Sequence, residues 1–358
     1  MLDDCLKVTS YFGERTRVNR RFFSDVLLDT FEEFGVSNSI LLRATSGFGL
    51  SHHLRDDQTL TMSEDPSLMV VGADTAERIE PMLLRIGELQ PKGMFTVERA
   101  RVIRDDTRIV SMPEELHEAT KLTIYLGRGE RVYRMPAHLA VCDLLHRRGV
   151  AGASVLLGVD GTQRGVRERA RFFDRNVGVP TMVIAMGEGA LIERVLPELG
   201  GLLEHPLITV ERVRVCKRDG ELLARPHPLP NTDADGLGMW QKLMIYTSEW
   251  HTHKGEPIHR RIVKRLRATN ARGATALRGV WGFHGEHEPH GDRLWQLGRR
   301  VPVVTIVVDT PSNIARSFDV IDELTSEHGL VTCELVPAMQ YFGHDTPTGR
   351  LQMSRYHF

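Results

Sequence analysis

A chain of 358 residues is longer than one hydrophobic core usually serves, which predicts two or three domains. With 46 Lys plus Arg against 47 Asp plus Glu, no overall field draws the molecule to nucleic acid or an anionic membrane, and any anion site has to be local. The longest apolar runs, such as VPVVTIVV, are too short to span a bilayer, the start MLDDCLK lacks a secretory pattern, and Cys5, Cys142, Cys216 and Cys333 form no C-x-x-C pair, so a soluble cytoplasmic chain with reduced thiols is expected.

From the N-terminus, KVTSYF alternates as a strand does. NRRFFSDVLLDTFEEFG then sets Phe23, Leu27, Phe31 and Phe34 on one helical face and stops at Gly35, where a left-handed cap fits. SILLRAT and SLMVVGA predict two strands around a polar loop, a second helix runs from Asp74, and TVERARV makes a fourth strand. The same order returns twice. The first helix of the second copy opens with Pro136 and that of the third with Pro257, at a position where a missing amide hydrogen costs nothing. Strands SVLLGVD and TALRGVW, then TMVIAMG and VVTIVVD, follow in the two copies. The second helices start from Glu188 and from Asp309, the latter with Thr310-Pro311 as a cap and first-turn pair.

The copies also agree column by column. LKVTSYFGER, TKLTIYLGRGER and QKLMIYTSEW each place a Lys (Lys7, Lys121, Lys242) four residues before a Tyr (Tyr11, Tyr125, Tyr246). Gly47, Gly161 and Gly282 follow their tyrosines at one identical interval, and Pro66, Pro180 and Pro302 open the third strands. TVERARV and TVERVRV differ at a single position, and VTCELVP keeps Glu334 in the place of Glu98 and Glu211. The predicted domains are 1–105, 119–218 and 239–340, with a tail at 341–358. Each βαββαβ unit reads as α+β, a ferredoxin-like antiparallel sheet with both helices on one face. Strands as apolar as LMVV and VVTIVV need cover on the other face too. Three sheets that bury one another, an intramolecular pseudo-trimer, would supply it.

IYLGRGE after a lysine, RATSGFGLSHHLR, and an acid-Pro step into an apolar strand resemble the domain-of-unknown-function 190 family, a branch of the PII-like proteins. The first copy matches best. The second reads GVDGTQRGVRERARFF where the family has Gly-Phe-Gly and histidines, and the third keeps RGVWGF before diverging to HGEHEPHG. The resemblance implies a trimer made covalent and a signalling role. It also implies nucleotides or, in another branch, divalent metals in clefts between units, with long loops over the clefts that respond to occupancy. A membrane transporter, a channel or an enzyme would be the regulated partner.

Candidate site residues lie in those loops. Gly47, Phe48 and Gly49 let backbone amides approach an anion and offer a ring for stacking, with His52, His53 and Arg55 behind them, and Gly282 and Phe283 repeat the motif. In the second copy Gly161 and Thr162 precede Arg164, Arg167, Arg169 and Arg171, a run that either clamps phosphate or forms a salt-bridged surface. Arg99, Arg101 and Arg104 in the first fourth strand correspond to Arg212, Arg214 and Lys217 in the second. His284, His287 and His290, with His251, His253 and His259 in the same copy, read three ways: a copper, nickel or zinc site, a loop that closes over a ligand, or a solvent loop. No G-x-S-x-G, H-E-x-x-H or Walker loop is present, so a sensor is expected rather than an enzyme, with a cation-tolerance protein, a scaffold or nucleotide hydrolysis as alternatives.

Overall fold

The computed structural model describes residues 3–49, 52–56, 65–104, 119–170, 176–204, 206–285, 288–291 and 301–342. They form three copies of one βαββαβ unit. The first has strands Asp3–Gly13, Asn38–Arg43, Ser67–Asp74 and Gly93–Arg104 and helices Phe23–Glu33 and Ala76–Leu89. The second has strands Thr120–Gly127, Gly152–Leu157, Pro180–Gly187 and Leu207–Arg212 and helices Ala137–Arg147 and Gly189–Leu202. The third has strands Trp240–Ser248, Ala274–Arg278, Pro302–Asp309 and Leu330–Val336 and helices Ile258–Ala268 and Pro311–Leu324. In every unit the sheet runs second, third, first, fourth strand, all antiparallel.

Local chemistry accounts for the helix ends. The first helix buries Phe23, Leu27, Leu28 and Phe31 and gives way to Gly35 at φ +62°, the left-handed conformation that glycine adopts without a Cβ clash. Pro136 and Pro257 stand one step earlier than expected. They are extended cap residues that finish two-residue hairpin strands, and the helices begin at Ala137 and Ile258. Thr310 and Pro311 do take the cap and first-turn positions. The side chain that serves that helix start is Asp309, fully buried, whose carboxylate accepts from the Thr310 amide at 2.8 Å. Asp74 does the same for Thr75 at 2.8 Å, so each carboxylate sits at the positive end of a helix.

Two kinds of core follow from sheets that are apolar on both sides. Each helix-covered face has its own core, exemplified by Phe31 and Phe95, by Leu145 and Leu199, and by Phe318 and Leu266. The opposite faces share one core to which all three units contribute, including Met69, Val71, Met182, Ile184, Met244 and Ile306.

Six ladders join the units, two at each junction. Asp160–Gln163 of the second unit pairs with the second strand of the first, Trp281–His284 of the third with the second strand of the second, and Ser46–Phe48 of the first with the second strand of the third. At the fourth strands, Leu207–Val210 pairs with Arg101–Arg104, Arg214–Arg218 with Leu330–Cys333, and Ala338–Phe342 with Gly93–Val97. The connections run first to second, second to third and third to first, so the chain closes on itself.

Among the described residues no helix is long and apolar enough to cross a membrane. All four cysteines are buried and none forms a disulfide. Burial pushes the Cys216 thiol up to about 12 and those of Cys142 and Cys333 further up. A colorimetric thiol reagent should therefore find no fast-reacting cysteine in the native protein and four after denaturation. One thiol titrating within seconds before denaturation would contradict this packing.

Candidate functional site

The Lys and Glu columns meet at the centre of the molecule. Lys7 contacts Glu211 at 2.6 Å and Glu98 at 3.6 Å, Lys121 contacts Glu211 at 2.9 Å and also Glu334, and Lys242 contacts Glu334 at 3.0 Å and also Glu98. Six charges thus alternate in sign around a closed ring, each lysine bridging the carboxylates of two units. All six side chains are at most 8% exposed. Burial works against ionising Glu98, but Lys242, Lys7 and Lys121 outweigh it and hold its carboxyl far below the usual range. Burial likewise opposes ionised Glu211, and Lys121 and Lys7 overcome it. Desolvation alone would depress Lys7, yet Glu211 and Glu98 raise it.

The three carboxylates approach within 4.8 Å of one another, close enough to suggest a metal centre. The space beside them already holds three ammonium groups, so the ring is neutral as it stands and its role is structural.

The repeated glycines also have an assembly role. Gly47, Gly161 and Gly282 pair with Thr275, Ile40 and Ser154 of the adjoining unit. A Cβ there would lie 2.6 Å from Ala274 O, 2.2 Å from Ser39 O and 2.3 Å from Ala153 O. This close approach of two backbones corrects the expectation that these glycines open onto an anion. Phe48 is corrected too: its ring is 3% exposed in the third unit's core, with His52 stacked on it at 5.7 Å, and presents no free face to a base. Phe283 is buried against the second unit, edge-on to His146 at 5.0 Å. Gly49 borders open space, His53 is exposed, and Arg55 pairs with Asp65 at 3.1 Å.

The cationic loop of the second unit is neutralised from within. Arg167 meets Asp25 at 3.0 Å, Asp160 at 2.7 Å and also Asp29, two of these acids lying on the first unit's first helix. Arg169 meets Asp25 at 3.1 Å. Thr162 is buried, its hydroxyl donating to Val36 O at 3.1 Å and lying 3.0 Å from the Ser39 hydroxyl. Arg164 is exposed, and Arg171 lies outside the described residues. Of the salt-bridge and phosphate-clamp readings, the geometry supports the salt bridge for Arg167 and Arg169. The fourth-strand cations are also engaged locally, Arg101 with Asp4, Arg214 with His227 at 3.0 Å, and buried Lys217 with Asp322.

The junction of the second and third units is different. A cavity of about 490 Å³ lies between Gly152–Ser154, Ile184 and Met186 on one side and Tyr246–Ser248, Trp250 and His251 on the other, beneath Gly282–His284 and Glu288–Gly291. That volume falls in the range of small-molecule sites. His251 stacks on His328 with ring centroids 4.2 Å apart, and Trp250 is 57% exposed. Thr247 lines the cavity, and its buried hydroxyl has no hydrogen-bond partner in the protein. His284 is bound to Asp219, and His290 Nδ1 lies 2.9 Å from Glu288 O. His287 is outside the described residues. Among those described, no third ligand joins His284 and His290 in a compact metal set, so the fit to a metal is poor. A smaller cavity of about 390 Å³ at the junction of the first and second units is lined by Glu14, Arg43, Asp25, Asp160 and Arg169, whose charges are paired.

Sequence reasoning missed Trp250, Thr247 and Ser154. The Tyr column was the available signal, since Tyr246 lines the cavity next to Thr247.

Comparison with known proteins agrees with the repeat. The profile of the domain-of-unknown-function 190 family, described as an uncharacterized ACR, matches residues 5–102, 119–215 and 240–338. The chain belongs to this family. A "UPF0166 protein" of Aquifex aeolicus (strain VF5) is 31% identical over 93 residues, which is 26% of this chain and 86% of that relative, so the relative matches about one unit of this family member. The crystal structure of aspartate kinase from Synechocystis aligns with 95% of the chain and 45% of its own at 8% identity and a TM-score of 0.24, a likeness too slight to carry an argument.

Proposed function

We propose that the chain is a ferredoxin-like, PII-like pseudo-trimer that senses a small molecule at the junction of its second and third units. The loop from Trp281 to Gly291 would pass occupancy to a regulated partner such as a transporter, a channel or an enzyme. The observation that carries this reading is the inequality of two junctions: the cavity of about 490 Å³ between the second and third units is lined largely by aromatic, aliphatic and backbone groups, whereas the cavity of about 390 Å³ between the first and second is lined by Asp25, Asp160 and Arg169, whose charges are paired. A sensor needs a cleft and a movable segment, and nothing here requires a nucleophile or a general base.

Isothermal titration calorimetry with any ligand that raises the melting temperature should give one site per chain. Three equivalent sites would overturn the proposal. At a hundredfold excess over its dissociation constant, a true ligand stabilises by about 2.7 kcal/mol, well within reach of a thermal-shift screen. A metal retained through purification would favour the cation alternative, and turnover of a nucleotide would favour an enzyme.

A further inference from the structure

We infer that the first two units carry a docking surface for an acidic protein segment, built on the small hairpins that join each first strand to its first helix. Every unit has this hairpin as a two-stranded sheet of its own: Arg17–Val18 with Arg21–Phe22, Arg131–Val132 with Met135–Pro136, and Thr252–His253 with Glu256–Pro257. Their tips are left-handed, at φ +50° and +68° for Asn19 and Arg20, +55° for Tyr133, and +53° and +78° for Lys254 and Gly255. Glycine enters that region freely, whereas a long or aromatic side chain is strained there. Tyr133 is 98% exposed, so no contact within the fold offsets its strain, and Arg20 is exposed as well.

The first two hairpins share features that the third lacks. Arg17 donates to Arg20 O at 3.2 Å and Arg131 to Arg134 O at 2.8 Å, a brace across the turn that fixes each tip. Thr252 and Gly255 stand in those places in the third unit. Arg20 and Arg134 are exposed and meet no carboxylate among the described residues. The acids nearest the two tips are turned inward, Glu14 to Arg43 at 3.0 Å and Glu130 to the Gly127 amide at 3.1 Å. Beside these guanidinium groups lie exposed Tyr133, Met135 and Phe22, the last under Arg17 at 4.3 Å. Arginine, aromatic residues and methionine without exposed acids are what the centres of protein interfaces favour. The guanidinium fork matches carboxylates. A flat anionic bilayer would engage three equivalent tips alike, and the third has neither brace nor tip arginine. Arg15 and Arg21 are engaged at home, which leaves Arg17, Arg20, Arg131 and Arg134, fewer than the roughly 6–10 phosphate contacts of a typical nucleic-acid binder.

The test is fluorescence anisotropy on the full chain with a labelled peptide of repeated Asp-Glu-Tyr-Leu. Oligo-Glu, a version with Lys for each acid, phosphatidylserine vesicles and duplex DNA serve as comparisons. The acidic-apolar peptide should bind, oligo-Glu at least tenfold more weakly, and the Lys version not at all. Arg20→Gly combined with Tyr133→Gly should weaken the peptide at least tenfold and raise the melting temperature of the free protein, because glycine relaxes both tips. Lys254→Ala should stay within twofold of the parent. The inference falls if the parent ignores the peptide, if the glycine variant binds as the parent does or melts lower, or if Lys254→Ala loses as much. It falls too if vesicles or DNA bind more tightly than the peptide and lose that binding in the glycine variant, since the surface then belongs to that partner.

Discussion

Lys121→Met should destabilise the protein by about 3–5 kcal/mol near pH 7, read as a shift in the denaturant midpoint. Lys121 is 1% exposed and is shared by Glu211 and Glu334, so its loss leaves three buried carboxylates facing two ammonium groups. The double variant Lys121→Met with Glu211→Leu removes one charge of each sign. Four alternating charges remain (Lys7, Glu98, Lys242 and Glu334), and much of the lost stability should return. A single variant within 1 kcal/mol of the parent, or a double variant no better than the sum of its parts, would show that the ring does not act as a unit.

The pH dependence follows from the same charges. Glu98 and Glu211 have folded pKa values held below the ordinary range, so their contribution is complete above the unfolded value of about 4.3 and drains away as pH falls below it. Lys7 is raised, so its contribution is complete below about 10.4 and is lost only as pH rises through its folded value. The denaturant midpoint should be level between about pH 6 and 9 and decline below about pH 4.5. The cost of Lys121→Met should shrink in that acid range, because a proton can then neutralise the surplus carboxylate.

Much of this architecture is written in local patterns. The alternation of KVTSYF, the helical face ending at Gly35 and the Thr310-Pro311 pair each depend on neighbours within a few residues, and each appears in the structure where the pattern puts it. What meets what across the units is not local. The Lys and Glu columns stand out in the sequence, but Lys7 joins Glu211 and Lys121 joins Glu334 only because the chain closes into a ring. The glycine column is ambiguous on chemical grounds, since a missing Cβ serves an approaching phosphate and an approaching backbone equally well. Arg167 stayed open between a phosphate clamp and a salt bridge because its partners Asp25 and Asp29 belong to the preceding unit's helix. The cavity depends on tertiary placement altogether, as Thr247 and Ser154 are unremarkable within their own strands.

Gly161→Ala and Gly282→Ala separate assembly from ligand binding. Both substitutions drive a methyl group against a carbonyl oxygen of the adjoining unit's second strand, at 2.2 Å for Ser39 O and 2.3 Å for Ala153 O. A backbone oxygen paired in a sheet cannot swing aside as the tip of a side chain can, so the loop strand has to lift away from its partner. Each variant should lose about 1–3 kcal/mol from overpacking. The Gly161 junction is also held by Thr162 and Arg167, which keep the loop docked while the pair spreads. Gly282 belongs to the wall of the 490 Å³ cavity, and spreading that ladder displaces the loop above it. For any ligand that titrates to one site per chain, Gly161→Ala should therefore bind with unchanged affinity, while Gly282→Ala should lose stability and at least tenfold in affinity together. Equal loss of binding in both variants would mean that the junctions communicate through the shared core, and ligand sensing would then have to be assigned to the ring as a whole rather than to one seam.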